Sequence, residues 1–583
     1  MFINFRRAVH VYLMPVYLFS TLGIVQTHAD ESSFADAIAQ QKQRVESELG
    51  QLPRPRADLQ KNVDVAVKRI PTGGENCVTL NQIDIGLAEE FAGRGFRKKF
   101  SRALDPVTQG KNSVIGECIG AEGISGIAKR VQSELLSLGY LTTRVDVRPQ
   151  DFSEHGILVI SFIPGLISSI RYSDEGELKG RKPLLKNSMA LNSQDLFNVR
   201  NLETSLENYQ RLSSVEVSVD IQPSSAVSSN EAGYSDIVIN WHQNLPISGS
   251  ISVDDSGSDA TGIYQTALFL TFENGLRLND VLSIYLNTDV PEVDDGPTEA
   301  LGMNFKYSVP IKSSVIELSY GDYEFDETLE GLNQDISYRG QSRDFAAEIK
   351  HLFYRDKKSK VYASIGGFQK SSKNFIEDEE VLVQRRRVSG WVAGLEYLRS
   401  TETNHLYASL AFQQGTGAFN ALKAPEEEFN EGVSRPKIWD IDVQFNQPIY
   451  IGVHPTQYRS KISGQFSDTP LIPQDRFLIG GRYSVRGVKE SISAEKGFYL
   501  QQELGYAGSK TPFNPYIGLD YGLVDGPSID SLSAQDRQIL STVLGVRARF
   551  RKIYTDAFIG TGLLTPSFFE DSFALGFSAT LNF

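Results

Sequence analysis

The chain has 583 residues, a formal net charge of −14 and 40% hydrophobic residues. This length exceeds that of one ordinary domain and suits two or three. The acidic balance argues against nucleic acid as a partner, because a phosphate-binding surface needs clustered Lys and Arg. A mean hydropathy of −0.25 excludes a bundle of membrane-spanning helices.

The first 29 residues have the layout of a secretory signal peptide. Arg6 and Arg7 precede an apolar run from Ala8 to Val25, and the segment closes at Ala29, just before two acidic residues. A basic flank, an apolar middle and a small-x-Ala ending are typical of segments that direct export. A membrane anchor is the alternative, which the shortness of the apolar run disfavours.

Residues 30–50 are predicted to form an amphipathic helix, because apolar residues recur at helical spacing among Gln, Lys and Glu. We expect the helix to end at Gly50, since Pro53 and Pro55 cannot continue it. Residues 51–74 are predicted to be a linker. Periodicity alone is compatible with either a disordered tail or a mobile plug.

Residues 75–164 and 165–242 are predicted to be two small α/β modules in succession. Short alternating strands surround amphipathic helices in both, and the segment from Arg200 to Leu212 is the clearest helix. Cys77 and Cys118 are the two cysteines of the chain. In an oxidising compartment such a pair is expected to form a disulfide, and no further Cys or His lies nearby at zinc-ligand spacing.

From about residue 243 the helical period gives way to a period of two. In Leu301–Val309, for example, apolar residues alternate with Gly, Asn, Lys and Ser, so one face meets water and the other meets a core or lipid. A soluble β-sandwich would show the same alternation. The alternation continues to Phe583, and a terminal strand that ends in Phe is typical of bacterial outer-membrane barrels, where it signals barrel assembly. We therefore predict a transmembrane antiparallel β-barrel of about sixteen strands over residues 243–583.

Five short segments together resemble the outer-membrane transporters of two-partner secretion, the haemolysin activator and haemagglutinin exporter family. In chain order they are Gly116–Ile124, Gly139–Val145, Arg200–Leu212, Asp254–Gly262 and Gly480–Gly487. Two positions depart from the family pattern, because Asp255 replaces the usual Asn and Val488 replaces an aromatic residue. The resemblance implies two POTRA domains, 75–164 and 165–242, in front of the barrel, and a plug formed by the N-terminal helix.

The resemblance also implies a pore loop that carries the motif Val485-Arg486-Gly487. A guanidinium inside a barrel needs a carboxylate partner, because it cannot lose its charge by deprotonation. Asp520 is the candidate, since the period of two places it on the lumenal face of its strand. Without the motif, Arg486 would be interpreted as an ordinary surface-loop charge.

The function implied by the resemblance is secretion of an unfolded, β-rich partner protein of the haemolysin or haemagglutinin type. The POTRA domains would bind this exoprotein by adding it to a sheet edge, and the barrel would depend on outer-membrane lipids and the barrel assembly machinery. No catalytic constellation, cofactor motif or GxxxxGK[ST] nucleotide loop is found, so we expect neither an enzyme nor a nucleotide partner.

Two alternatives to secretion stay open. An outer-membrane assembly or insertion factor has a similar architecture, but such factors usually carry more POTRA modules. A passive porin would leave the modules before residue 243 unexplained. The sequence names no partner and does not decide whether the transporter also activates it.

Overall fold

The computed structural model describes most of the chain. The described ranges are 23–50, 69–74, 76–151, 154–173, 182–224, 233–258, 260–290, 299–329, 334, 336–508 and 511–583, with side chains of the first range given for 34–47. The expected signal peptide, 1–29, and the expected linker, 51–74, lie largely outside the described residues. Within the described ranges no helix has the length and apolarity needed to cross a membrane.

The predicted N-terminal helix is present as α1, which spans Gly23–Gly50. It covers the expected range of 30–50 and begins seven residues earlier. Its side chains Phe34, Ala35 and Ala37 are buried, so this helix packs against the rest of the protein.

The first α/β unit has a three-stranded sheet in the order β2-β5-β4 and a two-stranded pair of β1 with β3. Its strands are β1 Val78–Thr79, β2 Gln82–Gly86, β3 Cys118–Ile119, β4 Arg144–Asp146 and β5 Ile157–Ile163. Its helices are α2 Glu89–Ala92, α3 Phe96–Ser101, α4 Asp105–Thr108 and α5 Ala121–Ser137. The apolar stripe of α5 is buried in the core, where Phe100 stacks on Phe162 with ring centroids 5.1 Å apart.

The second α/β unit has a three-stranded sheet in the order β6-β8-β7. Its elements are β6 Gly165–Tyr172, α6 Leu185–Ser188, α7 Val199–Gln210, β7 Val215–Pro223 and β8 Gly233–Gln243. Asn198 caps α7 by accepting a hydrogen bond from the backbone N–H of Arg200 at 2.8 Å. Leu202 and Tyr209 on α7 pack with Trp241 of β8 in the core.

The remaining chain forms a closed antiparallel barrel of sixteen strands, which confirms the predicted fold class. These strands are β9 Ile247–Asp254, β10 Gln265–Glu273, β11 Val281–Asp289, β12 Glu299–Ile311, β13 Ser314–Leu329, β14 Ile336–Arg355, β15 Ser359–Ile376, β17 Arg386–Ser400, β18 His405–Thr416, β19 Lys437–Ile451, β20 His454–Ser467, β23 Lys496–Tyr506, β24 Phe513–Asp525, β25 Gln538–Phe550, β26 Ile553–Leu564 and β27 Phe573–Asn582. Three short strands, β16 Glu379–Glu380, β21 Phe477–Gly480 and β22 Ser491–Ala494, lie outside this set.

The two faces of the barrel wall differ as the period of two predicts. On β24, Ile517 and Leu519 point outward and are 52% and 49% exposed, whereas Tyr516 and Asp520 are buried on the inner face. An outer face of exposed apolar side chains suits contact with lipid. The barrel closes where β27 pairs with β9.

Helix α7 docks on the turn between β14 and β15 through buried ion pairs. Arg355 binds Glu203 at 3.2 Å and Glu207 at 2.6 Å, and Lys360 binds Glu207 at 2.7 Å. The side chains of Arg355 and Glu207 are only 7% and 9% exposed. Separating these groups would leave buried charges without partners, which is unfavourable. The ion pairs therefore hold the second unit against the ends of β14 and β15.

Acidic pH is expected to loosen this docking contact. Burial alone would raise the pKa of Glu207, but hydrogen bonding and attraction from Arg355, together with Lys360, outweigh it and lower the pKa below its ordinary value. A carboxylate with a lowered pKa stabilises the docked state above its ordinary pKa and loses that contribution as the pH falls through the lowered value. Hydrogen exchange of α7 amides, corrected for the intrinsic effect of pH, should therefore accelerate below about pH 4.

Two variants test this assignment. Glu207→Gln should accelerate exchange of α7 already at neutral pH, and the further acceleration in acid should be smaller than in the wild type, since only the Arg355–Glu203 pair is left to titrate. Glu216→Gln is the matched control, because Glu216 is exposed on β7. Acid-dependent acceleration as large as in the wild type in Glu207→Gln would contradict the role of this carboxylate.

Candidate functional site

The chain between β20 and β23 folds into the barrel instead of turning directly. β20 pairs with β23 in the wall, while the intervening residues form the hairpin of β21 and β22. Ile479, Val485 and Val488 of this segment are at most 2% exposed and pack in one apolar cluster with Tyr499 and Val524 of the wall. We call residues 477–494 the pore loop.

Arg486 at the tip of the pore loop binds Asp520 on the inner face of β24. Its Nε donates to Oδ2 at 2.8 Å and its Nη2 donates to Oδ1 at 3.0 Å, which is the bidentate geometry of a strong ion pair. The backbone N–H of Arg486 also donates to Oδ2 at 3.1 Å. Asp520 has no exposed surface, so its charge depends on this guanidinium. The structure thus brings together the two residues that were predicted from the sequence to pair.

A second carboxylate, Glu503 on β23, shares the guanidinium. Arg486 Nη1 donates to its Oε2 at 3.2 Å, and Arg547 and Arg459 bind the same carboxylate at 2.5 Å and 2.9 Å. Glu503 is not among the residues predicted from the sequence, although the period of two in Gln501-Gln502-Glu503 could have placed it on the inner face. The site is therefore a network of alternating charges rather than one isolated ion pair.

Tyr516 and Asp556 complete this network. The guanidinium carbon of Arg547 lies 4.1 Å from the centroid of the Tyr516 ring, and the Tyr516 hydroxyl donates to Asp556 at 2.9 Å. Arg547 in turn binds Asp556 at 3.2 Å. Each charged group in the network has a partner of opposite charge, which a desolvated cluster requires.

Gly487 allows the tip of the loop to touch the wall. Its φ of 105° lies in the left-handed region that favours glycine. A Cβ built on Gly560 of β26 would stand 2.5 Å from the Gly487 Cα, and one built on Gly487 would stand 3.0 Å from Ser541. Glycine at both positions is what permits the close approach. Val488, where the resemblance led us to expect an aromatic residue, packs in the apolar cluster.

The C-terminal half of α1 also occupies the lumen. Buried Arg44 donates to the Tyr285 hydroxyl at 2.8 Å, to the Gln265 side chain at 3.1 Å and to Asp254 at 2.9 Å. The side-chain amides of Gln41 and Asn287 are joined at 2.7 Å. These partners lie on β9, β10 and β11, so polar contacts hold the helix against this part of the wall.

α1 contacts the pore loop as well as the wall. The Ser493 hydroxyl donates to Asp36 at 3.1 Å, and Gln43 donates to the Leu478 carbonyl at 3.2 Å. Closer to the N-terminus of α1, Phe34 packs against Phe325 of β13, with ring centroids 5.5 Å apart. The lumen therefore holds two elements in mutual contact, and displacement of one removes contacts of the other.

The remaining predicted residues lie away from the pore loop. The disulfide of Cys77 with Cys118 is present and ties the chain that enters the first α/β unit to β3. Phe583 continues the closing ladder of the barrel, because its backbone N–H donates to the Gly249 carbonyl at 2.9 Å and its carbonyl accepts from Gly249 at 3.2 Å. The terminal residue is thus part of the seam between β27 and β9.

Comparisons with known proteins decide the family. The profile described as "Haemolysin secretion/activation protein ShlB/FhaC/HecB" matches residues 233–548, more than half of the chain. The profile described as "POTRA domain, ShlB-type" matches residues 97–165, which cover most of the first α/β unit and end at the first residue of β6. The chain belongs to this family of haemolysin secretion and activation proteins.

Individual relatives agree with this assignment. The chain is 29% identical over 475 residues to the outer membrane transporter CdiB-2 of Burkholderia pseudomallei strain 1026b, covering 80% of this chain and 79% of the relative. It is 21% identical to the heme/hemopexin transporter protein HuxB of Haemophilus influenzae, over 70% of this chain and 71% of the relative.

A solved structure of a relative shows the same architecture. CdiB from Acinetobacter baumannii superposes with a TM-score of 0.81 at 26% identity, over 95% of this chain and 99% of that chain. CdiB from Escherichia coli has the same fold, with a TM-score of 0.78 at 19% identity. The transporter is a barrel of the outer membrane, and the POTRA domains of its family lie in the periplasm. Its relatives are transporters rather than enzymes.

Proposed function

We propose that this transporter secretes one unfolded, β-rich partner protein through the barrel to the cell surface. The observation that carries the proposal is the occupied lumen: α1 and the pore loop lie inside it, and both polar contacts and the packing of Phe34 hold α1 there. Polar groups released from such contacts can form equivalent contacts with water or with another chain, which supports a helix that can be displaced from the lumen. A lumen closed in this way suits a gated pore better than a passive one.

The proposal assigns capture of the partner to the periplasmic units. β7 lies at the edge of the sheet β6-β8-β7, and its nine residues pair with β8 on one side. An edge strand offers backbone donors and acceptors to an extended segment of another chain. An unfolded, β-rich partner protein can add a strand at this edge through backbone hydrogen bonds, without recognition of a specific sequence.

Space for a passing chain exists beside α1. A cavity of about 700 Å³ lies between the helix and the wall, with Asp442, Lys461, Gln501 and Arg459 among its lining residues. Side chains of this polar character would not retain an apolar segment of an unfolded chain. We propose that α1 leaves the lumen when the partner enters and that the cavity then widens into the translocation path.

The client is a secreted exoprotein of the haemolysin or haemagglutinin type in this proposal. No nucleotide is needed if folding of the exported chain outside the cell removes extended chain from the pore and so draws more chain outward. The names of the relatives, an outer membrane transporter and a heme/hemopexin transporter, agree with a role in passing material across the outer membrane.

Protein profiles of cells with and without the transporter test the proposal. We expect one large exoprotein to disappear from the surface and medium of the deletion strain and to accumulate in its periplasm, and to return on complementation. General loss of barrel proteins from the outer membrane would instead indicate an assembly factor. If the proteins of the outer membrane, the cell surface and the medium are the same with and without the transporter, neither secretion of an exoprotein nor assembly of barrel proteins is its function.

A further inference from the structure

Among the sixteen long strands in the described part of the barrel, the junction that closes it, β27 with β9, has the fewest register pairs. Five register pairs join Ser578–Asn582 of β27 to Asp254–Ser250 of β9, whereas eight pairs join β9 to β10. Phe583 adds backbone hydrogen bonds to Gly249 at one end of the seam. At the other end, one long backbone hydrogen bond continues the ladder, from the Asp255 N–H to the Phe577 carbonyl at 3.4 Å. Since each ladder hydrogen bond contributes to cohesion, side-chain contacts at this end add substantially to a weakly paired junction.

Arg482 of the pore loop lies at that other end. Its Nη1 donates to Asp255 Oδ1 at 2.6 Å and to the Phe577 carbonyl at 2.7 Å. Asp255 follows β9 and Phe577 belongs to β27, so one guanidinium nitrogen contacts the two sides of the seam. Asp255 Oδ1 also accepts from the Phe577 N–H at 2.9 Å. These contacts form one compact hydrogen-bonded group across the junction.

The environment favours a strong interaction. The side chains of Arg482 and Asp255 are 15% and 13% exposed, so water screens their charges weakly. The guanidinium carbon also lies 5.4 Å from the centroid of the Phe558 ring on β26. Charge-assisted hydrogen bonds are stronger than neutral ones, which makes this group a substantial addition to a junction of five pairs.

We propose that Arg482 is a second anchor of the pore loop and that this anchor keeps the seam of the barrel closed. Arg486 fixes the loop to β23 and β24, while Arg482 fixes it to the junction of β27 and β9. When the loop is seated, both sides of the seam are held. When the loop is displaced, Asp255 and Phe577 lose the shared donor and the end of the seam opens more often. Closure of the wall is thereby coupled to the position of the loop.

Hydrogen exchange of the full chain in lipid nanodiscs tests this coupling. In Arg482→Ala, peptides that contain Phe577 to Asn582 should exchange about tenfold faster or more. The variant loses the hydrogen bonds of Arg482 to Asp255 and Phe577, so the end of the seam opens more often and exposes its amides to water. Peptides from β14 and β15 should be unchanged. Seam exchange within about twofold of wild type would overturn the proposal. No partner protein is present, so this outcome is independent of the proposed secretion.

Further variants separate the anchor from packing. Arg482→Met keeps an apolar stem over Phe558 but has no donors, and it should exchange as fast as Arg482→Ala. Protection at the wild-type level in Arg482→Met would show that packing alone supports the seam and would overturn the proposal. Arg482→Lys keeps a charged donor and should give intermediate exchange, which keeps the test usable if the other variants fold poorly.

Arg343→Ala is the matched control. Arg343 of β14 binds Asp322 of β13 at 3.0 Å, and its side chain is 54% exposed. Loss of this ion pair removes an arginine from the same barrel without touching the seam. Its seam peptides should exchange as in the wild type. Equal acceleration in Arg343→Ala and Arg482→Ala would show a general loosening of the barrel and would contradict a specific anchor.

Discussion

Arg486→Ala is expected to abolish secretion while the barrel stays folded in the outer membrane. The substitution removes two side-chain hydrogen bonds to Asp520 and one to Glu503. Asp520 has no exposed surface, so its carboxylate keeps one backbone donor but loses its cation. Breaking a buried ion pair in this way costs about 3–5 kcal/mol. A penalty of this size changes the population of the seated loop by more than about a hundredfold.

Secretion and barrel integrity are measured separately. Export of the exoprotein into the medium should fall to below about a tenth of wild type, and heat-modifiable migration on a gel should show an intact barrel. Arg486→Lys should recover part of the activity, because it restores the charge but not the bidentate fork. Export at the wild-type rate by Arg486→Ala would contradict the assigned role.

Arg459→Ala is the matched control for this prediction. Arg459 binds the same carboxylate, Glu503, at 2.9 Å, but its side chain is 47% exposed and it lies on β20 rather than on the loop. Glu503 keeps Arg547 and Arg486 as partners in this variant. Exposed ion pairs contribute about 1 kcal/mol or less. Secretion should therefore change by less than about fivefold.

Arg44→Ala is expected to open the pore in the absence of a partner. Arg44 is 4% exposed and donates hydrogen bonds to Tyr285, Gln265 and Asp254. Alanine has no donors, so Asp254 loses its cation and the end of α1 loses its attachment to the wall. Hydrogen bonds to charged groups contribute about 1.5–3 kcal/mol each. The fraction of channels with a displaced helix should rise about tenfold or more, since 1.4 kcal/mol corresponds to tenfold.

Single-channel recording in planar bilayers measures this effect as the fraction of time in open states. Lys42→Ala is the matched control, because Lys42 is a basic residue on the same helix whose side chain is 65% exposed and pairs with Glu46 at 3.8 Å. It should behave as the wild type. Adding Phe34→Ala to Arg44→Ala should raise the open fraction further, because Phe34 holds the helix against Phe325. Closed channels in the double variant would contradict a plug role for α1.

Much of the fold follows from periodicity that the sequence displays directly. Alternation in segments such as Leu301–Val309 depends on backbone geometry, since neighbouring side chains of a strand point to opposite faces. The same rule places Asp520 on the inner face and Ile517 on the outer face, as the structure shows. The number of strands also follows, because strand length in a membrane is limited by its thickness. The alternation of side chains and the limit on strand length were therefore sufficient to predict the barrel wall and its two faces.

The network around Arg486 was less predictable. Asp520 could be selected because a family motif directed attention to Arg486, but nothing in the sequence around Glu503 shows that three arginines converge on it. These arginines come from β20, the pore loop and β25. Their contact with one carboxylate depends on the curvature of the wall and on the path of the loop. Neither can be predicted from local periodicity.

By itself, the sequence determined the succession of the parts: an N-terminal helix, two α/β units and a barrel of about sixteen strands. These features depend on local backbone geometry and on the spacing at which apolar and polar residues alternate along the chain. Only the tertiary structure placed α1 inside the barrel and brought Arg482 to Asp255, 227 positions away in sequence. Contacts of that kind form when the wall closes on itself, and closure is a property of all sixteen strands together.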